Sequence, residues 1–234
     1  MGLALFIAII AGGLLWFFGG DAPAEVNLAE TASSVTESTV TESSEATTTG
    51  IEGEWTINTT VGEFSVTEDT TATFAGFRVE EVLQSIGSTT AVGRTPGVTG
   101  SVEIEGTTLT FAEITVDLTM IESDEDRRED NIQQALGTGS NPEATFVLTE
   151  PIDLGDGAVS GEVVSVVASG ELTINGVTQT VEIPLEAQLV DGMILVTGST
   201  DISLSNYDVT VPSAPVVLSV EDHGTLELQL WLSR

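Results

Sequence analysis

Few side chains in this sequence could do chemistry, and the pair Arg127 and Arg128 stands out among them. The chain of 234 residues holds 37 Asp and Glu against five Arg and no Lys. A guanidinium can bind a phosphate or carboxylate through two parallel hydrogen bonds, so the pair is a candidate for binding an anionic headgroup. Acidic residues flank the pair from Glu122 to Asp130. Ion pairing with a carboxylate three or four residues away is therefore the alternative role.

Residues that could support catalysis are scarce. The sole histidine, His223, lies in the turn-like stretch Glu221-Asp222-His223-Gly224, and the sequence assigns no nucleophile to it. The motifs of serine hydrolases, zinc peptidases and phosphate-binding loops are absent from the chain. We therefore predict a protein that is not an enzyme and needs no cofactor or metal. A lipid hydrolase or isomerase that depends on His223 is the catalytic alternative.

The formal net charge of −32 and the absence of cysteine exclude several classes of function. Binding to nucleic acid needs clustered Lys and Arg, so we predict no nucleic-acid partner. Without cysteine the chain has no disulfide, no cysteine-ligated zinc or iron–sulfur site, and no thiol nucleophile. A surface this acidic favours solubility. The sequence leaves the oligomeric state open, including a homodimer.

The first twenty residues form a hydrophobic segment. Met1 to Gly20 carries no charged side chain, and about 20 apolar residues suffice for a helix to span a bilayer. We predict a helical membrane anchor, with Trp16, Phe17 and Phe18 at one interface. A cleaved signal peptide is the alternative, because Ala22-Pro23-Ala24 has the small-x-small form of a cleavage site. Either interpretation predicts that the rest of the chain lies outside the cytoplasm, in the periplasm or the extracellular space.

Residues 21–50 are predicted to form a disordered linker. Twelve of these thirty residues are Ser or Thr, six are acidic, and none is basic or aromatic. Such a segment buries too little apolar surface to offset the entropy lost on ordering. The linker would hold the following domain away from the membrane and let it swing.

A folded domain is predicted over residues 51–234, where the dominant hydrophobic pattern has a period of two. From Thr225 to Leu232, leucines alternate with polar residues and a tryptophan, which is typical of a strand with one buried face. A change of parity within residues 107–120 indicates a β-bulge near Ala112-Glu113. The dipeptide Asn175-Gly176 between two strand-like runs predicts a two-residue hairpin turn.

One helix is expected in this domain, at about Asp124–Leu136. Ser123 could cap its first turn, which is rich in acidic residues, and Gly137 could end it. One short helix among about eight antiparallel strands predicts an all-β domain, either a closed barrel or a sandwich.

Five short motifs follow one another through residues 54–232. They are Glu54-Trp55-Thr56-Ile57, Arg127-Arg128-Glu129-Asp130-Asn131-Ile132, Pro142-Glu143-Ala144-Thr145-Phe146, Leu172-Thr173-Ile174-Asn175-Gly176-Val177-Thr178 and Gly224-Thr225-Leu226-Glu227-Leu228-Gln229-Leu230. In this order they resemble the YceI-like family, the lipocalin-like polyisoprenoid-binding proteins. The chain departs from the family at two positions. Asn175 stands where the family often has His, and Asn141 stands where an aromatic residue usually precedes the proline.

The resemblance implies an extended eight-stranded antiparallel barrel. A barrel of about eight strands has an interior just wide enough to be filled by side chains or to hold one small ligand. Its elongated apolar pore would hold a long isoprenoid or fatty-acyl chain, which burial stabilises by about 25 cal/mol per Å² of apolar surface. The candidate ligand-binding residues are apolar side chains proposed for the inward faces of the strands: Phe74, Phe77, Phe111, Ile114, Val116, Leu118, Phe146, Leu148, Leu172, Ile174, Leu228 and Leu230.

We therefore expect non-catalytic binding of an isoprenoid or other long-chain lipid, for sequestration, transport or protection against stress. A structural or interaction barrel, whose core is filled by its own side chains, is the alternative.

Overall fold

The computed structural model describes residues 22–38, 50–84, 87–124, 128–210 and 217–234, and its dominant element is a single antiparallel sheet. The strands are β1 (Gly53–Asn58), β2 (Phe74–Leu83), β3 (Gly87–Thr95), β4 (Val98–Glu105), β5 (Thr108–Asp117), β6 (Glu122–Ser123), β7 (Glu143–Leu148), β8 (Ile152–Asp153), β9 (Val164–Ile174), β10 (Val177–Val190), β11 (Met193–Ser203) and β12 (Val217–Ser233). The described helices are α1 (Leu28–Ser38) and α2 (Glu129–Ala135). The predicted all-β class is confirmed.

The twelve strands form a barrel of eight, because some positions in the barrel are occupied by two shorter strands that follow each other along the barrel wall. The long strand β12 pairs along one edge with β11 and along the other edge with β2 and then β1. β3 and β4 likewise follow each other along the chain and pair with β2 and β1. From β4 the sheet continues through β5, β7, β9, β10 and β11 to β12, and the β1–β12 pairing closes the barrel. The prediction of a closed barrel is confirmed.

Two local features of the strands agree with the sequence patterns. Asn175 and Gly176 have φ values of 51° and 75° and join β9 to β10 in the predicted tight hairpin. The parity of β5 also changes as predicted, but the bulge lies at Thr110, slightly before the predicted Ala112-Glu113. Thr110 is the extra residue opposite the step from Glu103 to Ile104 in β4.

Helix α2 differs from its prediction at its start. It begins at Glu129, and residues 125–127 lie outside the described part of the chain. Ser123 is not a helix cap, because it pairs in β6 with the edge of β3 and its hydroxyl donates to the Val92 carbonyl at 3.0 Å. An unpaired strand edge offers backbone partners that compete with capping. The predicted stop holds, since Gly137 follows the helix with φ of 65°.

Residues 22–38 form a strap across the outside of the barrel, so the prediction of a disordered linker is wrong for this part of residues 21–50. Leu28, Ala32 and Val35 share one face of α1, and they pack in a cluster with Leu195 and Trp231. A helix of 11 residues is too short to be stable on its own. Packing against the barrel supplies the missing stabilisation.

The predicted membrane anchor, Met1 to Gly20, lies outside the described residues, as do residues 39–49. Within the described ranges, no helix is long and apolar enough to cross a bilayer.

Candidate ligand-binding cavity

An apolar cavity of about 250 Å³ lies inside the barrel. At one end its lining includes Ile51 and Leu232, which belong to a cluster with Trp55. At the other end it includes Leu118 and Leu136. Among the described residues that line it, none is basic. The interior is therefore suited to an uncharged, hydrocarbon-rich molecule.

Most of the predicted ligand-binding residues line this cavity, as the alternation of β5, β7, β9 and β12 indicates. They are Phe77, Ile114, Val116, Leu118, Phe146, Leu148, Leu172, Ile174, Leu228 and Leu230. The structure brings together residues from strands far apart in sequence, since barrel closure turns all their apolar faces inward.

Phe74 and Phe111 are also predicted to line the cavity, and both predictions are wrong. Phe74 is buried on the outer face of the barrel, with the guanidinium carbon of Arg94 4.5 Å from its ring centroid. Phe111 is 40% exposed, because the bulge at Thr110 sets the inward parity of β5 so that Ala112 faces the cavity and Phe111 faces solvent. Apolar residue type alone does not fix the face of a strand.

Small residues on the inner face keep the cavity open, and the sequence analysis missed them. Gly170 lies beneath the ring of Phe146, and Gly93 lies beneath the ring of Phe77, where an added Cβ would come within 2.6 Å of ring carbons. Large side chains thus lie against the barrel wall over a neighbouring glycine instead of crossing the interior. Alanines contribute further space at the lining positions Ala75, Ala112, Ala144, Ala168 and Ala187. A glycine or alanine at an inward-facing position of a strand is the signal in the sequence that could have identified these residues.

The two ends of the cavity differ in polarity. The end near α2 is covered by Leu136 and by the 3₁₀ turn Leu204–Tyr207, which pack into an apolar cluster. We call this the closed end. The opposite end has the exposed Glu162 and the amide of Gln188 among its lining residues, and Gln188 Nε2 donates to the Gly161 carbonyl at 3.1 Å. We call this the mouth.

Comparison with known proteins agrees with the topology. The family model described as the YceI-like domain matches residues 55–232. The chain belongs to the YceI-like family. The resemblance carried by the five sequence motifs is therefore confirmed. None of the curated proteins gives a significant sequence match.

Two solved structures share the fold of this YceI-like barrel. One is a polyisoprenoid binding domain from Saccharophagus degradans implicated in plant cell wall breakdown. It is 18% identical with a TM-score of 0.58, over 76% of this chain and 97% of that one. The other is BcnA from Burkholderia cenocepacia, which is 17% identical with a TM-score of 0.51, over 67% and 95% of the two chains. At these identities the similarity establishes the fold.

Arg128 of this YceI-like protein already has carboxylate partners. Its Nη1 lies 2.8 Å from Asp124 Oδ1, four residues earlier, and its Nη2 contacts the buried carboxylate of Glu81. The ion-pairing alternative is therefore confirmed for Arg128, because two carboxylates compete with any anionic headgroup. Arg127 lies outside the described residues.

Tyr207 is the one tyrosine of the chain and is buried at the closed end. Its hydroxyl is inaccessible to solvent and has no hydrogen-bond partner among the described residues. Burial raises the pKa of the phenol above its ordinary value. The hydroxyl therefore stays protonated at neutral pH and can act as an uncharged donor.

His223 lies in β12 opposite Ser203, on a surface away from the cavity lining. Its neighbour Asp222 accepts hydrogen bonds from the Ser205 hydroxyl at 2.7 Å and the Ser205 amide at 2.9 Å. These bonds, and to a smaller extent His223, lower the pKa of Asp222. Asp222 thus fixes the turn at the closed end, which is a structural role. Within the described ranges, no group of acidic and histidine side chains is arranged to hold a metal ion.

Proposed function

We propose that this YceI-like protein binds a long-chain isoprenoid or a related lipid inside its barrel, without catalysing a reaction on it. The observation that carries the proposal is the apolar cavity kept open by inward glycines and alanines. A hydrocarbon chain needs no fixed pattern of hydrogen bonds, and its burial contributes about 25 cal/mol per Å². The description of the Saccharophagus degradans structure as a polyisoprenoid binding domain supports the same ligand class.

Cavity length, width and the groups at its ends set the specificity in such a site. The ligand would enter at the mouth, where the exposed Glu162 lies among the lining residues. The inner walls select for apolar chains, since a charged group would lose its hydration without a counter-charge from the described lining residues. A protein that encloses a lipid without catalysing a reaction on it would serve to sequester or transport that lipid.

We further propose that the protein works outside the cytoplasm and stays attached to the membrane through residues 1–20. The strap supports retention of this segment, because Arg78 Nη2 donates to the Pro23 carbonyl at 2.8 Å and Arg94 Nη2 donates to the Ala24 carbonyl at 2.7 Å. Cleavage after Ala24 would remove both acceptors and leave the buried Arg94 with an unsatisfied donor. Retention would hold the barrel close to the membrane instead of on a swinging tether.

The test starts from the full chain expressed in a bacterial host and purified from the membrane fraction. Intact-mass measurement should give the uncleaved chain, and solvent extraction followed by mass spectrometry should recover a long-chain isoprenoid in near-equimolar amount. A soluble chain lacking the first 24 residues would contradict the anchor. Recovery of no lipid, together with no binding of an added isoprenoid, would contradict the ligand proposal and favour a barrel with a non-binding, structural role.

A further inference from the structure

The cavity stops at a layer of packed apolar side chains at its closed end. Ile202, Tyr207 and Val209 are buried in one cluster with side chains of the cavity wall. None of these three is among the described residues that line the cavity. The void therefore ends before this layer, and a ligand that fills the barrel meets a floor there.

The surface of the floor consists of residues that do line the cavity. Leu136, the residue after α2, is half-buried and reaches the cavity together with Leu118 and Ile121. All three pack in the same cluster as Ile174, the last residue of β9. The end of a ligand that reaches this floor is therefore in contact with branched aliphatic side chains.

Hydrogen bonds hold the helix before Leu136 against the barrel. Gln133 Nε2, in α2, donates to the Leu118 carbonyl at 2.9 Å. After the helix, Asn141 Nδ2 donates to Asn175 Oδ1 at 3.1 Å, in the turn between β9 and β10. Because the helix and the segment after it are both bonded to the barrel, the position of Leu136 is fixed by the fold.

Polarity sets the direction in which a lipid lies in the cavity. Glu162 is exposed at the mouth, where a polar head keeps its contact with water. The floor residues Leu118, Ile121 and Leu136 have no polar side-chain atom, so a head placed against them would lose its hydration without replacement. The tail of the lipid therefore lies toward the floor, and its last isoprene unit contacts Leu136.

The distance from the mouth to the floor corresponds to a definite tail length. Val164 and Ile174, the first and last residues of β9, both line the cavity. A rise of about 3.3 Å per residue and a strand tilt of about 40° place them about 25 Å apart along the barrel axis. An extended isoprene unit with carbon–carbon bonds of about 1.5 Å spans about 5 Å. A straight tail of about five units therefore reaches from the mouth to the floor.

We propose that Leu136 and the floor around it measure the isoprenoid tail, so that the protein selects its lipid by tail length. A shorter tail leaves part of the wall without packing contacts. A longer tail leaves apolar surface in water at the mouth. This inference rests on the proposed function and narrows its ligand class to isoprenoids of a limited range of lengths. It makes Leu136 a specificity residue.

The test offers the full chain in detergent an equimolar mixture of isoprenoid quinones that differ only in the number of isoprene units. After removal of unbound lipid, mass spectrometry gives the share of each quinone that is bound, relative to its share in the mixture. The unmodified chain should show a maximum at one tail length. Leu136→Ala leaves space at the floor and should shift this maximum toward longer tails by about one unit. Ala144→Leu, at a lining position of the same cluster, should shift it toward shorter tails.

The control is Leu154→Ala, the same change at a half-buried lining residue near the mouth. It should weaken the binding of all quinones alike and leave the maximum in place. Thermal melting shows which variants are folded, and either floor variant alone is sufficient for the test.

Two results would overturn the inference while leaving the proposed function intact. One is an equal share of all tail lengths in the unmodified chain, or a maximum that the folded floor variants do not move. The other is an equal shift in Leu154→Ala, because tail length would then not be measured at the floor. If the unmodified chain binds none of the quinones, the proposed function fails and this inference fails with it.

Discussion

Strand β12 separates two buried regions that are constructed in opposite ways. Its leucines from Leu226 to Leu232 face the cavity, where walls are apolar and space remains. The alternate residues Glu227, Gln229 and Trp231 face outward, beneath the strap, where polar groups are buried. Most of them are paired, but Glu227 Oε2 has no hydrogen-bond partner in the described part of the chain and lies 3.6 Å from Arg78 Nη1. We call this second region the outer patch and include Arg94 in it, whose Nε lies 2.7 Å from Glu227 Oε1.

The outer patch is specified by hydrogen bonds that leave little freedom. Gln229 Nε2 donates to the Ala72 carbonyl at 2.8 Å, while its Oε1 accepts from the Thr31 hydroxyl of the strap at 2.7 Å. Gly76 lies between Glu227 and Arg94, and any Cβ there would clash with the Gly93 carbonyl. Buried hydrogen bonds of this kind favour one arrangement of the strands and the strap.

The cavity lacks such constraints, and this difference assigns the two regions different tasks. An apolar wall accepts ligands of varied detail as long as length and width suit. The side chains around an empty cavity lack some of the packing contacts that a filled interior provides. A bound hydrocarbon would supply these contacts. The outer patch therefore fixes the strap and the barrel seam, and the interior is left for the ligand.

The largest expected effect comes from Glu227→Gln in the outer patch. Removal of the carboxylate charge leaves the buried guanidinium of Arg94 without its partner, and we expect the free energy of unfolding to fall by about 3 kcal/mol. Urea denaturation measures this loss. The exposed Glu186→Gln is the control and should change stability by less than about 0.5 kcal/mol. A loss in Glu227→Gln as small as that of the control would contradict the role given to the ion pair.

Filling the cavity should give the opposite result for stability. Ala168→Leu adds apolar volume to the inner wall, so we expect ligand-free stability to stay equal or rise by about 1 kcal/mol and lipid affinity to fall at least about tenfold. The adjacent Val167→Leu faces solvent, with 51% exposure, and should change neither property. A destabilisation of about 1–3 kcal/mol in Ala168→Leu would mean that the interior is already packed.

A substitution in α1 should loosen the strap without unfolding the barrel. Leu28→Ala removes the most buried side chain of α1 that packs on Trp231, and it should cost about 2 kcal/mol. Hydrogen exchange should become faster in α1 while amide protection in β9 and β10 is retained. Ser33→Ala on the exposed side of α1 is the control. Equal loss of protection in strap and barrel would show that the two regions unfold as one unit.

The smallest effect concerns the closed end at acid pH. Hydrogen bonds from Ser205 lower the pKa of Asp222 in the folded state. Ionised Asp222 therefore contributes stability above the unfolded aspartate pKa of about 3.9, and this contribution is lost as the pH falls through the lower folded value. The stability difference between the unmodified chain and Asp222→Asn should thus be largest at neutral pH and shrink below about pH 4. Ser205→Ala should reproduce this behaviour, and a difference independent of pH would contradict it.

Local patterns were sufficient to predict much of the fold and most of the cavity. The alternation of Leu226 to Leu232 and the Asn175-Gly176 turn depend on neighbouring residues, so a single sequence contains them. The same alternation assigned Leu228 and Leu230 to the interior correctly. Inward parity would also have identified Gly170, two residues before Leu172, as part of the wall.

Long-range partners account for the failures. Phe74 faces outward because it stacks on Arg94, and no local pattern reveals which strands meet around the barrel. The strap looks like a polar linker because its few apolar residues become significant when the barrel provides a surface for Leu28. Arg94 and Glu227, 133 residues apart, are brought together by the pairing of β12 with β2 and of β2 with β3.

A crystal structure of the purified protein with an isoprenoid quinone added tests the central claim most directly. We predict continuous ligand density inside the barrel, with the tail in contact with Phe77 and Phe146 and the path leading to the mouth at Glu162. An interior filled by the protein's own side chains, with the lipid absent or bound on the outer surface, would contradict the account.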